Sequence, residues 1–148
     1  MAAVARITAP SPATRPIRPM IERGIRLHVA AFMTGRISLA LQCYKLPLPV
    51  FVGKKMVVIE SERHFVEMIR AYRHYVLKDG LTGVRGEMLE ITDNDDHLLV
   101  STRFTFDYLN GRSNSADSTR YVRQDGGRLI VEMVENKTFP HHGTLAPE

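Results

Sequence analysis

The apolar positions of this chain change their period along its length, and each change marks an element. From Met20 onward Ile21, Ile25, His28 and Phe32 recur at helical spacing, with Gly24, Leu27 and Ala31 beside them. That stripe predicts a helix of about four turns, ended by Thr34-Gly35. The next piece, Arg36 to Tyr44, carries Ile37, Leu39, Leu41 and Tyr44 and predicts a second short helix before Pro47 and Pro49 forbid one. Two strand-like runs follow, Leu48 to Val52 and the β-branched Met56 to Ile59, broken at Gly53-Lys54-Lys55. Ser61 is an N-cap candidate for a long helix from Glu62 to Leu77. Its stripe of Phe65, Ile69, Tyr72 and Val76 has helical spacing, and Gly80 stands near the C′ position.

After Gly80 the period becomes two. Val84 to Ile91 reads as a strand, closed by the turn Asp93-Asn94-Asp95-Asp96. From Leu98 to Tyr108 the even positions are Leu98, Val100, Thr102, Phe104, Phe106 and Tyr108, and the odd ones include Ser101, Arg103, Thr105 and Asp107. The even face is therefore a core wall of a half-buried antiparallel strand. Asn110-Gly111 opens a polar loop, Ser118 to Arg123 is a short strand, Asp125-Gly126-Gly127 is a hairpin turn and Leu129 to Thr138 is the last strand. Helices first and antiparallel strands after them make an α+β order, with the helices on one face of a bent sheet.

Composition narrows the class. The chain has 148 residues, 44% hydrophobic and 24% charged, which suits one domain with a sizeable core. The first nineteen residues mix Ala, Pro and Arg with no acid, so the expected organisation is a disordered tail over 1–19, a domain over 20–139 and a C-terminal tail over 140–148. The alternatives for the first segment are a transit peptide, against which four prolines count, and a polyanion-binding arm. Five arginines against Glu22 in residues 1–26 account for the whole net charge of +4. The balanced remainder offers no footprint for nucleic acid, and no apolar run is long enough to suggest a membrane partner. A single cysteine, Cys43, excludes an internal disulfide and multi-cysteine metal sites and suits a cytoplasmic setting. No cofactor is expected.

The segment from Gly35-Arg36 through Leu39, Leu41 and Tyr44 into Val50-Phe51-Val52 resembles the entry of the nuclear transport factor 2-like superfamily. The helix after Ser61, the long central strand and the Asp125-Gly126-Gly127-Arg128 turn fit the same pattern, so the resemblance covers about residues 20–138. It implies a cystatin-like α+β roll: a cone-shaped, curved antiparallel sheet packed against three helices, with an apolar pocket at the open end and pairing into homodimers through the outer sheet face. The superfamily includes polyketide cyclases of the SnoaL-like type, ketosteroid isomerases, dehydratases and plain binding modules, and fold alone does not choose among them.

The catalytic relatives carry a carboxylate just after the Tyr that ends the second helix, where an apolar pocket raises its pKa for proton transfer. Here Tyr44 is followed by Lys45, Leu46 and Pro47, with no acid before Glu60, and Leu129 replaces the Trp common after the Asp-Gly turn. The expectation is a protein that binds a small apolar molecule in a pocket lined by His28, Tyr44, Phe104, Phe106 and Tyr108. The alternatives are a cyclase, isomerase or dehydratase using His28 or a Tyr for proton transfer, and a dimerising scaffold with a filled pocket. His28 also reads as an edge histidine bonded to backbone. Glu132 and Glu135, three apart, cannot share a face in a regular strand. Asp93, Asp95 and Asp96 lack the Gly and Glu of a calcium loop, and His141-His142 has no third ligand nearby. His64, His74, Arg63, Arg70 and Arg73 suit a solvated helix face, and Cys43 a small buried hydrophobe.

Overall fold

The computed structural model describes residues 17–138. Its elements are α1 (Ile17–Thr34), a 3-10 helix (Ile37–Cys43), β1 (Leu48–Val52), β2 (Lys55–Ile59), α2 (Glu62–Lys78), β3 (Leu81–Asn94), β4 (His97–Tyr108), β5 (Ser113–Asp125) and β6 (Arg128–Thr138). α1 includes residues 17–19, which were expected in the tail. Ile17 is 2% exposed and extends the buried stripe of Ile21 and Ile25, and Pro19 occupies the first turn, where a missing N–H is tolerated. The rest of that tail, the C-terminal tail and the His141-His142 pair lie outside the described residues.

The six strands form one sheet in the order β2-β1-β6-β5-β4-β3. Every neighbouring pair is antiparallel except β1 and β6, which run parallel with Val50 opposite Val134. The wholly antiparallel expectation fails there because α2 carries the chain from one sheet edge to the other. The meander β3 to β6 then returns to meet β1 in the same direction. β5 begins at Ser113, well before the expected Ser118. Its polar first half has weak strand propensity of its own, and the ladder to β4, down to Ser113 opposite Asp107, holds it extended.

The concave side of the sheet faces α1, the 3-10 helix and α2. Buried Phe65, Tyr72 and Val76 of α2 and Ile17, Ile21 and Ile25 of α1 pack against the inward positions of β3 to β6. Ser61 caps α2, its Oγ accepting from the His64 N–H at 3.1 Å. Arg73 departs from the solvated-face expectation. It is half-buried and donates to the Phe32 and Met33 carbonyls, satisfying the open C-terminal end of α1 and tying the two helices together.

β6 is not a regular strand. A bulge between Val131 and Met133 changes its phase, so Val131 and Val134 both face inward while Glu132 and Glu135 both lie on the outer side. The expectation that the two glutamates occupy opposite faces is thereby corrected. Glu132 is an ion-pair hub, with His97 Nε2 at 2.8 Å, Arg123 Nε at 3.0 Å and Lys45 Nζ at 3.8 Å.

Candidate functional site

A cavity of about 180 Å³ lies between the helices and the sheet. Met68, Ile69 and Tyr72 of α2 form one wall and Phe104 and Phe106 of β4 the other, with Val134 of β6 beside them. Four of the five expected residues, His28, Tyr44, Phe104 and Phe106, line it. Tyr108 does not. β4 runs past the end of the cavity, and there Tyr108 is buried against Leu81 and Val76, with the Arg112 guanidinium 4.3 Å from its ring centre.

Three polar side chains of the cavity, His28, Tyr44 and Arg120, are joined in a chain whose direction is fixed by chemistry. The Gly24 carbonyl can only accept, so His28 donates to it through Nδ1–H at 2.7 Å. Nε2 of the neutral ring is then an acceptor, and it takes the Tyr44 hydroxyl hydrogen at 2.7 Å. The Tyr44 oxygen in turn accepts from Arg120 Nη1 at 2.5 Å. Burial, followed by the positive charge of Arg120, lowers the His28 pKa to about 4, against a smaller opposing pull from the Gly24 carbonyl. Burial pushes the Tyr44 phenol above its usual range, with Arg120 pulling the other way. Both groups are therefore neutral at pH 7.

Arg120 is the residue that sequence reading missed. It lies 5.6 Å from the Phe104 ring centre and 5.9 Å from that of Tyr44. Its Nε is buried without a hydrogen-bond partner among the described residues. The signal was present in the alternation Ala116, Ser118, Arg120, Val122, which sets an arginine in phase with inward positions, but it becomes legible only once β5 extends back to Ser113. Ser118 is inward too, and its hydroxyl is paired with that of buried Thr102 at 3.1 Å.

A second recess of about 430 Å³ adjoins the first and shares His28, Phe104 and Arg120 with it. Half-buried Cys43 lines this recess, with its thiol pKa raised by burial. Lys45, which follows Tyr44, is exposed and pairs with Glu132 outside the cavity. Among the described residues no cluster of three or more His, Cys, Asp or Glu side chains is arranged to hold a metal ion, and no helix is long and apolar enough to cross a membrane.

No protein-family model matches the chain, and no curated protein matches it significantly. Solved structures do. A domain of unknown function with a cystatin-like fold from Nostoc punctiforme superposes with a TM-score of 0.66 at 11% identity, over 90% of this chain and 83% of that one. A nuclear transport factor 2-like protein of unknown function from Shewanella oneidensis gives 0.61 at 17% identity, over 82% and 98%. The fold is nuclear transport factor 2-like. Aln2 from a Streptomyces species shares it at a TM-score of 0.63 and 12% identity, over 86% and 92%. In this nuclear transport factor 2-like fold the cavity lies between the three helices and the curved sheet, and His28, Tyr44 and Arg120 are its linked polar side chains.

Proposed function

We propose that this chain binds a small apolar molecule in the cavity between its helices and curved sheet, with Tyr44 and Arg120 meeting the ligand's polar end. The observation that carries the reading is a cavity of about 180 Å³ with a mostly apolar wall, in which His28, Tyr44 and Arg120 form one linked polar cluster and Ser118 and Asn136 add polar positions. An apolar cavity of roughly 150 Å³ accepts benzene, so the space suits one ring or a short branched chain. Toluene and indole are the first probes, followed by melting temperature and native mass spectrometry. The intact chain is expected to be stabilised and to retain one molecule, and Ala116→Leu, which fills the cavity wall, to lose that response while staying folded. No stabilisation and no retained probe would overturn the reading and favour the self-filled scaffold.

A second reading, proton transfer to a bound carbonyl compound, is favoured by the guanidinium beside Tyr44, which donates to the phenol oxygen and opposes the rise that burial gives its pKa. His28 uses both ring nitrogens and takes the one Tyr44 hydroxyl hydrogen, so Tyr44 donates to a ligand only by releasing that bond. Turnover lost in Tyr44→Phe with ligand binding kept would support it. Pairing of two copies through the outer sheet face is also proposed. Arg85 with Asp107 and Arg103 with Asp117 neutralise each other there, and Leu99, Tyr121 and Met133 form an apolar row across it. The cytoplasmic setting rests on the single cysteine.

A further inference from the structure

We infer that the natural ligand is a monoanion, a small aromatic or branched carboxylate that binds Arg120 through the guanidinium hydrogens Tyr44 does not take. The inference deepens the ligand-binding reading and rests on it. It starts from how this chain treats its strand arginines. Arg85 is bidentate to Asp107 at 2.9 Å, Arg103 is bidentate to Asp117 at 2.8 Å, and Arg123 pairs with Glu132 at 3.0 Å, all on the outer side of the sheet. Arg120 points into the concave side and has no carboxylate within ion-pair distance among the described residues. Its hydrogen bond runs through Nη1 to a neutral phenol, and its Nε–H is buried and unpartnered. A guanidinium is a permanent cation, and one set among aromatic rings without a counter-charge is unfavourable until an anion joins it.

The surroundings select for the same charge. Neither the cavity nor the recess beside it has an Asp or Glu in its lining, and the recess adds Arg23 and Arg128. An anion entering by that route meets three cations and no repulsion. The polar chain also sets the guanidinium in advance. The Gly24 carbonyl fixes the His28 ring, His28 fixes the Tyr44 hydroxyl, and Tyr44 holds Nη1, so the remaining N–H donors are oriented before a ligand arrives. Forked hydrogen bonds from arginine match a carboxylate better than any neutral oxygen. The ligand's apolar part then fills the space between Phe104, Phe106 and α2.

The test uses the full chain, isothermal titration calorimetry at neutral pH, and a matched pair of probes, 3-phenylpropionate and 3-phenylpropan-1-ol. The acid is expected to bind at least about tenfold more tightly than the alcohol, the increment of a charge-assisted hydrogen bond. In Arg120→Met that preference is expected to vanish while the alcohol is still bound. Equal affinity of the intact chain for the two probes would overturn the inference, as would a preference surviving in Arg120→Met. If that variant does not fold, the acid-over-alcohol ratio of the intact chain decides, with Arg120→Lys, which keeps the charge and loses the fork, expected to lie between. Binding of the alcohol, toluene or indole without preference for the acid defeats the anion and leaves the apolar pocket standing. Failure of all four probes removes the pocket reading and this one with it.

Discussion

His28 donates to the Gly24 backbone carbonyl, as an edge histidine would, while its ring lines the cavity. Its depressed pKa has a consequence for stability. Between about 4 and the ordinary value of 6.5, the unfolded chain takes up a proton that the folded chain refuses, so this stability is complete above 6.5 and drains away as pH falls toward 4. The full span is worth up to about 3 kcal/mol at roughly 1.4 kcal/mol per pH unit. Urea denaturation across that window is expected to show a falling midpoint in the wild type and a flatter profile in His28→Gln. Parallel profiles would mean the imidazole is solvated in the folded state. Asp107, Asp117 and Glu132, all held below the usual carboxylate range chiefly by arginine partners, also lose stability as pH falls through the acid end of the window, equally in wild type and variant, so the difference between the two profiles reports the imidazole.

Among the elements, the seat of α1 on the sheet depends on a missing side chain. A Cβ on Gly86 of β3 would stand 2.6 Å from Ile25 Cγ2 and 2.8 Å from Phe104 Cε1, both inside any real contact distance. Gly86 thus lets α1 approach the strand closely and lets the Phe104 ring lie beside Arg120. Gly86→Ala is expected to destabilise the protein by about 1–3 kcal/mol, as overpacking does, and to weaken toluene binding by shifting Phe104. A denaturation midpoint unchanged by the substitution would show that α1 moves freely. The helix stripes and the even face of β4 were legible in the sequence because burial there is strictly periodic. The length of β5 was not, since residues 113–117 are held by hydrogen bonds to β4 rather than by apolar periodicity. The glutamate faces of β6 were misread for a related reason: the bulge is a property of pairing, invisible to a count along one strand.

At the scale of the whole molecule, the outer sheet face yields a prediction independent of the cavity. Sedimentation at micromolar concentration is expected to give a dimer, and Tyr121→Glu, which puts a charge in the apolar row with Leu99 and Met133, to shift it toward monomer. A monomer in the wild type would defeat that pairing without touching the ligand site. The sequence by itself determined the α+β class, the order of elements, the cap and stripe of α2, the inward face of β4 and the absence of an acid after Tyr44, because each is written in local spacing. Only the tertiary structure decided the parallel joint of β1 with β6, the docking of Arg73 on the end of α1 and the meeting of His28, Tyr44 and Arg120. Tyr44 and Arg120 stand 76 positions apart in the chain, and no local pattern encodes a hydrogen bond across that distance. It forms because the sheet curves around the helices and turns both side chains into the same cavity.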